Sequence, residues 1–266
     1  MQSARYVLAI IMIKCLLWRL NEHIEIKMKN PMQNKLSFFR NQKGFSLVEM
    51  AVVLVILGLV LATLFAPLAA QRDIKNITGT QASLNQIKEA INGFAILNGR
   101  LPCPAKVMAD PSNASYGLED SALCGQEGLL PWKTLGVPET DEWGTHRTLS
   151  TDAWIGFWKY RADSNYDSTT ALFSTNMMAS VPAFADNLIV KDTTGNDLTP
   201  SAAGTEKPIA IVYSTGKDLL ANGQNSGAVD SIYESDANSA AFDDMLIWIT
   251  RPVLVNKLVS AGKLPQ

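Results

Sequence analysis

The chain has 266 residues, 47% of them apolar, with 23 Lys and Arg set against 25 Asp and Glu. That length holds one ordinary globular domain plus a long accessory segment, and the apolar share is ample for a core. A formal net charge of -2 supplies no basic footprint for a phosphate backbone, so nucleic acid is excluded as a first partner.

Residues 6–20 are apolar but short, and Lys14 interrupts them, so they fit a membrane span poorly. Met28 and Met32 each open a shorter leader rich in Lys, Asn and Gln. One of these methionines is expected as the true start; a second membrane segment is the alternative.

Residues 45–70 read FSLVEMAVVLVILGLVLATLFAPLAA. From Met50 onward about 20 residues carry no charge, enough for a helix to cross a hydrocarbon core. Lys35, Arg40 and Lys43 lie just before the run. Positive flanks stay in the cytoplasm, so the C-terminal bulk is expected on the far side. Glu49 is the single charge within the run, and a carboxylate in oil is costly. A lone anchor gains nothing from it. An amino terminus freed at Phe45, on the same chain or a neighbour, offsets the burial of both groups. A carboxylate in the first helical turn also complements the helix dipole. The plain alternative is an incidental Glu at the lipid interface.

Beyond Ala70 the pattern becomes one apolar stripe. Ile77, Leu84 and Ile91 recur at intervals of seven, Ile87 and Phe94 lie beside them, and Arg72, Asp73, Lys75, Lys88 and Glu89 surround them. Asn98-Gly99 ends the pattern, with Pro102 just beyond. The spacing predicts a helix over 45–98 whose transmembrane part is about 45–70. Gly58 and Pro67 are expected to bend or loosen it.

Residues 99–266 are turn-rich and read as a single head. Pro102-Cys103-Pro104 is rigid and extended. Four β-favouring runs follow, at 154–160, 187–190, 208–213 and 245–249, separated by clusters of Ser, Thr, Asn, Asp and Gly. Val255, Leu258 and Val259 face one way on a short last helix ending at Gly262. The expected fold is α+β: a long N-terminal helix, its first half membrane-embedded, packed against a small antiparallel sheet.

Cys15 precedes the membrane segment, which leaves Cys103 and Cys124 beyond it. In an oxidising compartment the pair reads as a disulfide, closing a loop of about 20 residues for roughly 3 kcal/mol. In a reducing one they are two free thiols. Zinc lacks ligand spacing here, with only His146 at a distance.

Other chemistry is thinner. Ser214-Thr215-Gly216-Lys217 lacks the glycine a phosphate loop needs, because Ile211 holds that position. A Cys/His catalytic pair at His146 conflicts with a disulfide. Trp132, Trp143, Trp154 and Trp158 read either as core packing or as an aromatic platform for a ligand.

Lys43-Gly44-Phe45-Ser46-Leu47-Val48-Glu49 resembles the cleavage and methylation motif of type IV prepilins and type II secretion pseudopilins. The resemblance implies that a prepilin peptidase cuts between Gly44 and Phe45, removes residues 1–44 as a leader, and methylates Phe45. It implies that Glu49 guides docking by meeting the first residue of a neighbouring subunit. The leader departs from the pattern, since more than forty residues precede Phe45 where family leaders are short and basic. In the head, residues 98–104, the Asp141-Glu142-Trp143-Gly144 turn, residues 152–154 with 158–161, residues 213–218, and Asp243-Asp244 also resemble the family. Residues 162–204 look extra relative to compact pseudopilins.

The loop from Asp218 to Asp244 is rich in hard oxygen ligands, and major pseudopilins carry calcium in a comparable loop. Asp218, Asp230, Asp243 and Asp244 are therefore candidate calcium ligands; the alternative is a solvated, turn-forming loop without the EF-hand spacing. The expected function is a structural minor pilin or pseudopilin, not an enzyme, with no cofactor other than calcium. Its implied partners are the prepilin peptidase, other pilins or pseudopilins, and the inner-membrane assembly platform. Its implied course runs from bacterial inner membrane, as a single-pass protein with a periplasmic head, into a fibre. The rival reading is a pilus-tip adhesin or ligand-binding module, and a membrane-tethered enzyme ranks third.

Overall fold

A computed structural model describes residues 46–107, 110–167, 186–200, 206–227 and 231–263. The leader, Gly44, Phe45 and Asp230 lie outside the described residues. The chain divides into two compact units, Met1–Leu59 and Val60–Gln266.

In the first unit the described backbone is helical from Leu47, the start of α1 (Leu47–Asn98). Ser46 starts the helix: its hydroxyl accepts from the Glu49 amide at 3.2 Å and its carbonyl from the Met50 amide at 3.2 Å. The hydroxyl thereby satisfies one of the four amide groups that a helix start leaves orphaned, and the carbonyl takes the first regular helical bond. Every side chain from Ser46 to Leu59 is exposed, Leu47 by 90%. The residues are apolar on all sides of the helix, so no face is set aside for water. Among the described residues no helix is long and apolar enough to cross a membrane. Within the expected span, the side chains of residues 62–69 lie outside the description.

In the second unit α1 runs on to Asn98, its backbone helical through Pro67. It ends as the sequence predicts, with Gly99 at φ 69° and its amide donating to the Ala95 carbonyl at 2.9 Å. The head adds β1 (Gly128–Leu129), α2 (Trp132–Leu135), β2 (Lys159–Ala162), α3 (Ser164–Asp167), β3 (Ile189–Lys191), β4 (Pro208–Ser214), β5 (Ile232–Glu234), β6 (Met245–Thr250) and α4 (Arg251–Ser260). Among the described residues four strands form an antiparallel sheet in the order β1-β2-β4-β6. The fold is therefore α+β, a helix packed on a small antiparallel sheet. Beside that sheet, β3 and β5 pair in parallel, a feature the sequence pattern does not announce.

β4 holds the layers together, because all seven of its residues are buried. One face carries Ala210 and Val212, joined by Ile209 at the irregularity between Pro208 and Ala210, and these pack with Leu84, Ile87, Ile91 and Ala95 of α1 and with Leu254 and Leu258 of α4. The other face carries Ile211 and Tyr213, which pack with Leu188, Val190 and Tyr233 from the small parallel pair. A strand covered on both faces reads as a continuous apolar run, as PIAIVYS does. Leu84, Ile87 and Ile91 are fully buried as their period predicts, whereas Ile77 and Phe94 at the stripe's margins are half-buried.

The expected strand at 154–160 is mostly not one. Gly156 adopts φ 68° and breaks the run, so β2 starts only at Lys159. Trp154 and Phe157 instead join Trp132 and Tyr116 in a separate aromatic cluster.

Candidate functional site

Three places carry the residues that the sequence singles out. The first is the helix start in the Met1–Leu59 unit, where the capping hydroxyl of Ser46 holds the Glu49 amide. Glu49 lies in the first turn, and its side chain, like its neighbours, is exposed. Gly44 and Phe45 lie outside the described residues.

The second place is the acidic loop of the head. Asp243 Oδ2 accepts the backbone amides of Lys217 at 2.6 Å and Asp218 at 3.0 Å. Gly216 makes this closure feasible: at φ 64°, a Cβ there would sit 2.3 Å from the Asp243 carbonyl oxygen. Asp244 Oδ2 accepts the Asn222 amide at 2.9 Å and the Asn225 side chain at 2.8 Å. Asp244 Oδ1 is buried and has no hydrogen-bond partner among the described residues. Burial, chiefly, with Asp243 and Asp218 close by, pushes the Asp244 carboxyl up to about 6 against those hydrogen bonds. Asp218 spends its own oxygens on the Leu220 amide and the Asn222 side chain.

The loop therefore works first as a hydrogen-bonded knot. Among the described residues, the His, Cys, Asp or Glu trio with ligand atoms within 4.8 Å of one another is Cys103, Cys124 and Asp167. Asp218, Asp243 and Asp244 do not form such a trio. Asp230 lies outside the described residues.

Nearby, Lys217 makes no phosphate loop; its Nζ pairs with Asp73 of α1 at 2.7 Å. Asp73, Ile77, Trp143, Lys217 and Asp243 line a groove of about 650 Å³. The four tryptophans do not share one surface. Trp158 is buried in the main core, Trp132 and Trp154 belong to the aromatic cluster, and Trp143 lines the groove.

The third place is the disulfide. Cys103 and Cys124 are bonded, with Cα atoms 4.6 Å apart. Cys103 is fully buried and Cys124 half-buried. The loop it closes is further clamped by Arg100, whose guanidinium grips Glu119 through two hydrogen bonds of 2.9 and 2.8 Å. Asp167, which no sequence motif marks, lies against this bond. Its Oδ2 accepts the Gly125 amide at 2.6 Å, and its Oδ1 is buried without a partner among the described residues. Burial, with Asp186 and Asp163 adding to it, pushes the Asp167 carboxyl up to about 7.

The Asp141-Glu142-Trp143-Gly144 segment is a tight turn that anchors the head. Asp141 is buried, accepts the Trp143 amide at 2.9 Å, and takes a short hydrogen bond from the Ser214 hydroxyl at the end of β4. The Glu142 amide reaches the Thr80 hydroxyl of α1 at 3.4 Å. A Cβ on Gly79 would lie 2.7 Å from Glu142 Cγ, so the helix presents a notch there.

Residues 39–65 match the family described as "Prokaryotic N-terminal methylation motif". The chain carries the signature of type IV pilins and pseudopilins. This pilin signature covers the helix start with Ser46 and Glu49 and ends before the head. No curated protein and no solved structure matches the chain.

Proposed function

We propose that this chain is a structural pilin-like subunit, made as a precursor and assembled into a type IV pilus or type II secretion pseudopilus. A prepilin peptidase cuts between Gly44 and Phe45 and methylates the Phe45 amine. The apolar helix of residues 45–70 holds the precursor in the inner membrane, with the head on the periplasmic side. Assembly moves that helix from lipid into the core of a fibre, where other subunits surround it. The assembly platform and neighbouring pilins or pseudopilins are the partners.

The observation that carries this reading is the motif match over residues 39–65, joined to a helix start that is apolar on every side. Exposed apolar surface of that extent marks a surface that something else covers, whether lipid or neighbouring helices. Glu49 supplies the polar contact. In a neighbour-covered environment its carboxylate takes the methylated amine of an adjacent subunit as counter-charge. Such a role asks for packing and one ion pair, not for substrate turnover, and we read the chain as a subunit rather than an enzyme.

Calcium has a limited fit to the acidic loop. The buried Asp244 Oδ1 lacks a protein donor, so a cation held by Asp244 and Asp243 would satisfy it. Millimolar calcium should then raise the melting temperature of the protein, and Asp244→Asn should abolish that rise. An unchanged melt in calcium would leave the loop as a hydrogen-bonded knot only.

The subunit reading is tested with Glu49→Ala in cells that have the assembly machinery. Cleavage should proceed, while incorporation into sheared fibres should fall by tenfold or more, on the order of the loss of one buried counter-charge. Normal incorporation of the variant would remove Glu49 from assembly.

A further inference from the structure

The Asp167 carboxyl has no place in the assembly reading, and its surroundings are specific. One of its oxygens and both sulfurs of the Cys103–Cys124 bond lie within 4.8 Å of one another. Its backbone oxygen is 3.3 Å from Cys103 Sγ. The carboxyl is fully buried, held on one side by the Gly125 amide, with Oδ1 left without a donor among the described residues. A buried polar oxygen without a partner is costly and rare. This one sits beside the one pair of side chains in the head that can exchange protons and electrons together.

The two sulfurs are not equivalent. Cys124 is half-buried and within reach of an outside reagent, whereas Cys103 is fully buried and cannot be attacked directly. Closing the bond therefore proceeds from outside inward. The thiolate of Cys124 attacks a disulfide donor R–S–S–R, forms Cys124–S–S–R and expels the first RS⁻. The sulfur of Cys103 must then attack Cys124, but as a buried thiol it holds its proton. Only the thiolate is a nucleophile.

We propose that Asp167 is the proton-transfer group of the Cys103–Cys124 couple. Its carboxylate takes the proton from the Cys103 thiol as the bond closes, and returns a proton to Cys103 when the bond is opened. In the closing step the Cys103–Cys124 bond forms, the Cys124–S–R bond breaks, and the second RS⁻ leaves. Two electrons pass from the protein dithiol to the donor, whose class is a small-molecule or protein disulfide. The proton on Asp167 passes to solvent.

The charged and titratable groups facing Asp167 suit the role. Asp163 and Asp186 lie on its own side, Asp186 donating its amide to Asp163 Oδ2 at 3.1 Å. Arg100 and Tyr160 lie within electrostatic reach of it, and Arg100 is itself engaged by Glu119. Burial first, and then the two acids, favour a carboxyl that keeps its proton, and the Gly125 amide opposes them. The balance leaves a group able to change state near neutral pH.

The test uses full-length protein in detergent, reduced, freed of reductant and mixed with glutathione disulfide. Mass spectrometry with rapid alkylation separates the mixed disulfide on Cys124 from the closed product. At pH 7, Asp167→Asn should slow the second step on the order of 100-fold and accumulate the mixed disulfide. The gap should narrow above about pH 9, where the thiol ionises unaided. Equal second-step rates and matching pH curves for the two proteins overturn the proposal. Should the variant fail to fold, the wild-type curve decides. A second-step rate that climbs through about pH 7 supports the assignment, and one that climbs only with a free thiol near pH 8.5 overturns it.

Discussion

Helix α1 is helical backbone throughout, yet its two stretches stand in opposite relation to their surroundings. In the Met1–Leu59 unit each described side chain is exposed, from Ser46 through Leu59. In the Val60–Gln266 unit Leu84, Ile87, Ile91 and Ala95 are sealed from solvent. The sequence difference behind this is pattern, not amount. The first stretch is apolar on all sides, while the second confines its apolar residues to a stripe between charged flanks. A stripe needs one partner surface, and the chain supplies it in β4 and α4. An all-round apolar helix needs partners on every side, and the chain supplies none among the described residues. The helix thus shows which part the chain's own folding covers and which part it leaves exposed.

That contrast can be broken most forcefully by truncating one residue from each stretch. Ile87→Ala should cost the head about 3 kcal/mol, within the usual range for a sealed core position, read by denaturant unfolding. Val55→Ala should leave the same unfolding curve within about 0.5 kcal/mol. Equal costs at both sites would mean that the first stretch also has a partner within the chain.

A backbone test comes next. Gly156 at φ 68° would place a Cβ 2.3 Å from Gly144 Cα and 2.5 Å from the buried Asp141 carboxylate. Gly156→Ala should cost about 2 kcal/mol or more by combining backbone strain with that collision. It should do so without touching cleavage of the precursor. Thermal unfolding and a cleavage assay on the same variant sharpen the separation between head and signature.

The head's buried acids give a pH signature of their own. In the unfolded chain Asp244 and Asp167 ionise near 4, but in the folded head they hold protons until about 6 and about 7. Between those limits the folded state binds more protons than the unfolded one. Their contribution is therefore fully present below about pH 4 and is lost as pH rises through 6 and 7. Unfolding free energy should decline from pH 5 to pH 7.5, and Asp244→Asn should flatten the part of the slope that ends near 6. Asp152 and Asp192, which hydrogen bonds hold below the usual carboxylate range, act the other way only at lower pH.

The smallest effect belongs to the surface pairs that link α1 to the head. Lys217 meets Asp73 at 2.7 Å and Lys257 meets Glu89 at 2.8 Å, all four side chains largely open to water. Asp73→Asn should change stability by less than about 1 kcal/mol, and that little should vanish in high salt. A larger, salt-resistant loss would place more of the helix–head joint in charge than in the Leu84–Ala95 stripe.

How far the sequence could be read follows the range of the interactions involved. The second stretch of α1 was legible because a seven-residue recurrence is local, and so was its end at Asn98-Gly99. β4 and β6 were legible as apolar runs with turn residues on both sides. β1 and β5 were not: strands of two and three residues carry no period, and only their pairing defines them. The run at 154–160 misled because aromatic, β-favouring residues also build compact clusters, and Gly156 was the clue that the run must turn.

The candidate sites divide in the same way. The Ser46 to Glu49 helix start lies in contiguous sequence with a strong motif. The Cys103–Cys124 pairing is one of two readings that the sequence allows, and the fold decides it by bringing the sulfurs together. Asp167 was invisible, because its meaning comes from Gly125 and Cys103, both far away along the chain. The partners of Asp244, Asn222 and Asn225, were likewise hidden among ordinary loop residues.

The central claim concerns a bond at the edge of the apolar helix. Mass spectrometry of the N-terminal peptide, on protein from a cell with an active prepilin peptidase, addresses it directly. The account predicts a mature chain that begins at N-methylated Phe45, with residues 1–44 gone. A chain still continuous through Gly44 and Phe45 in that cell would contradict it.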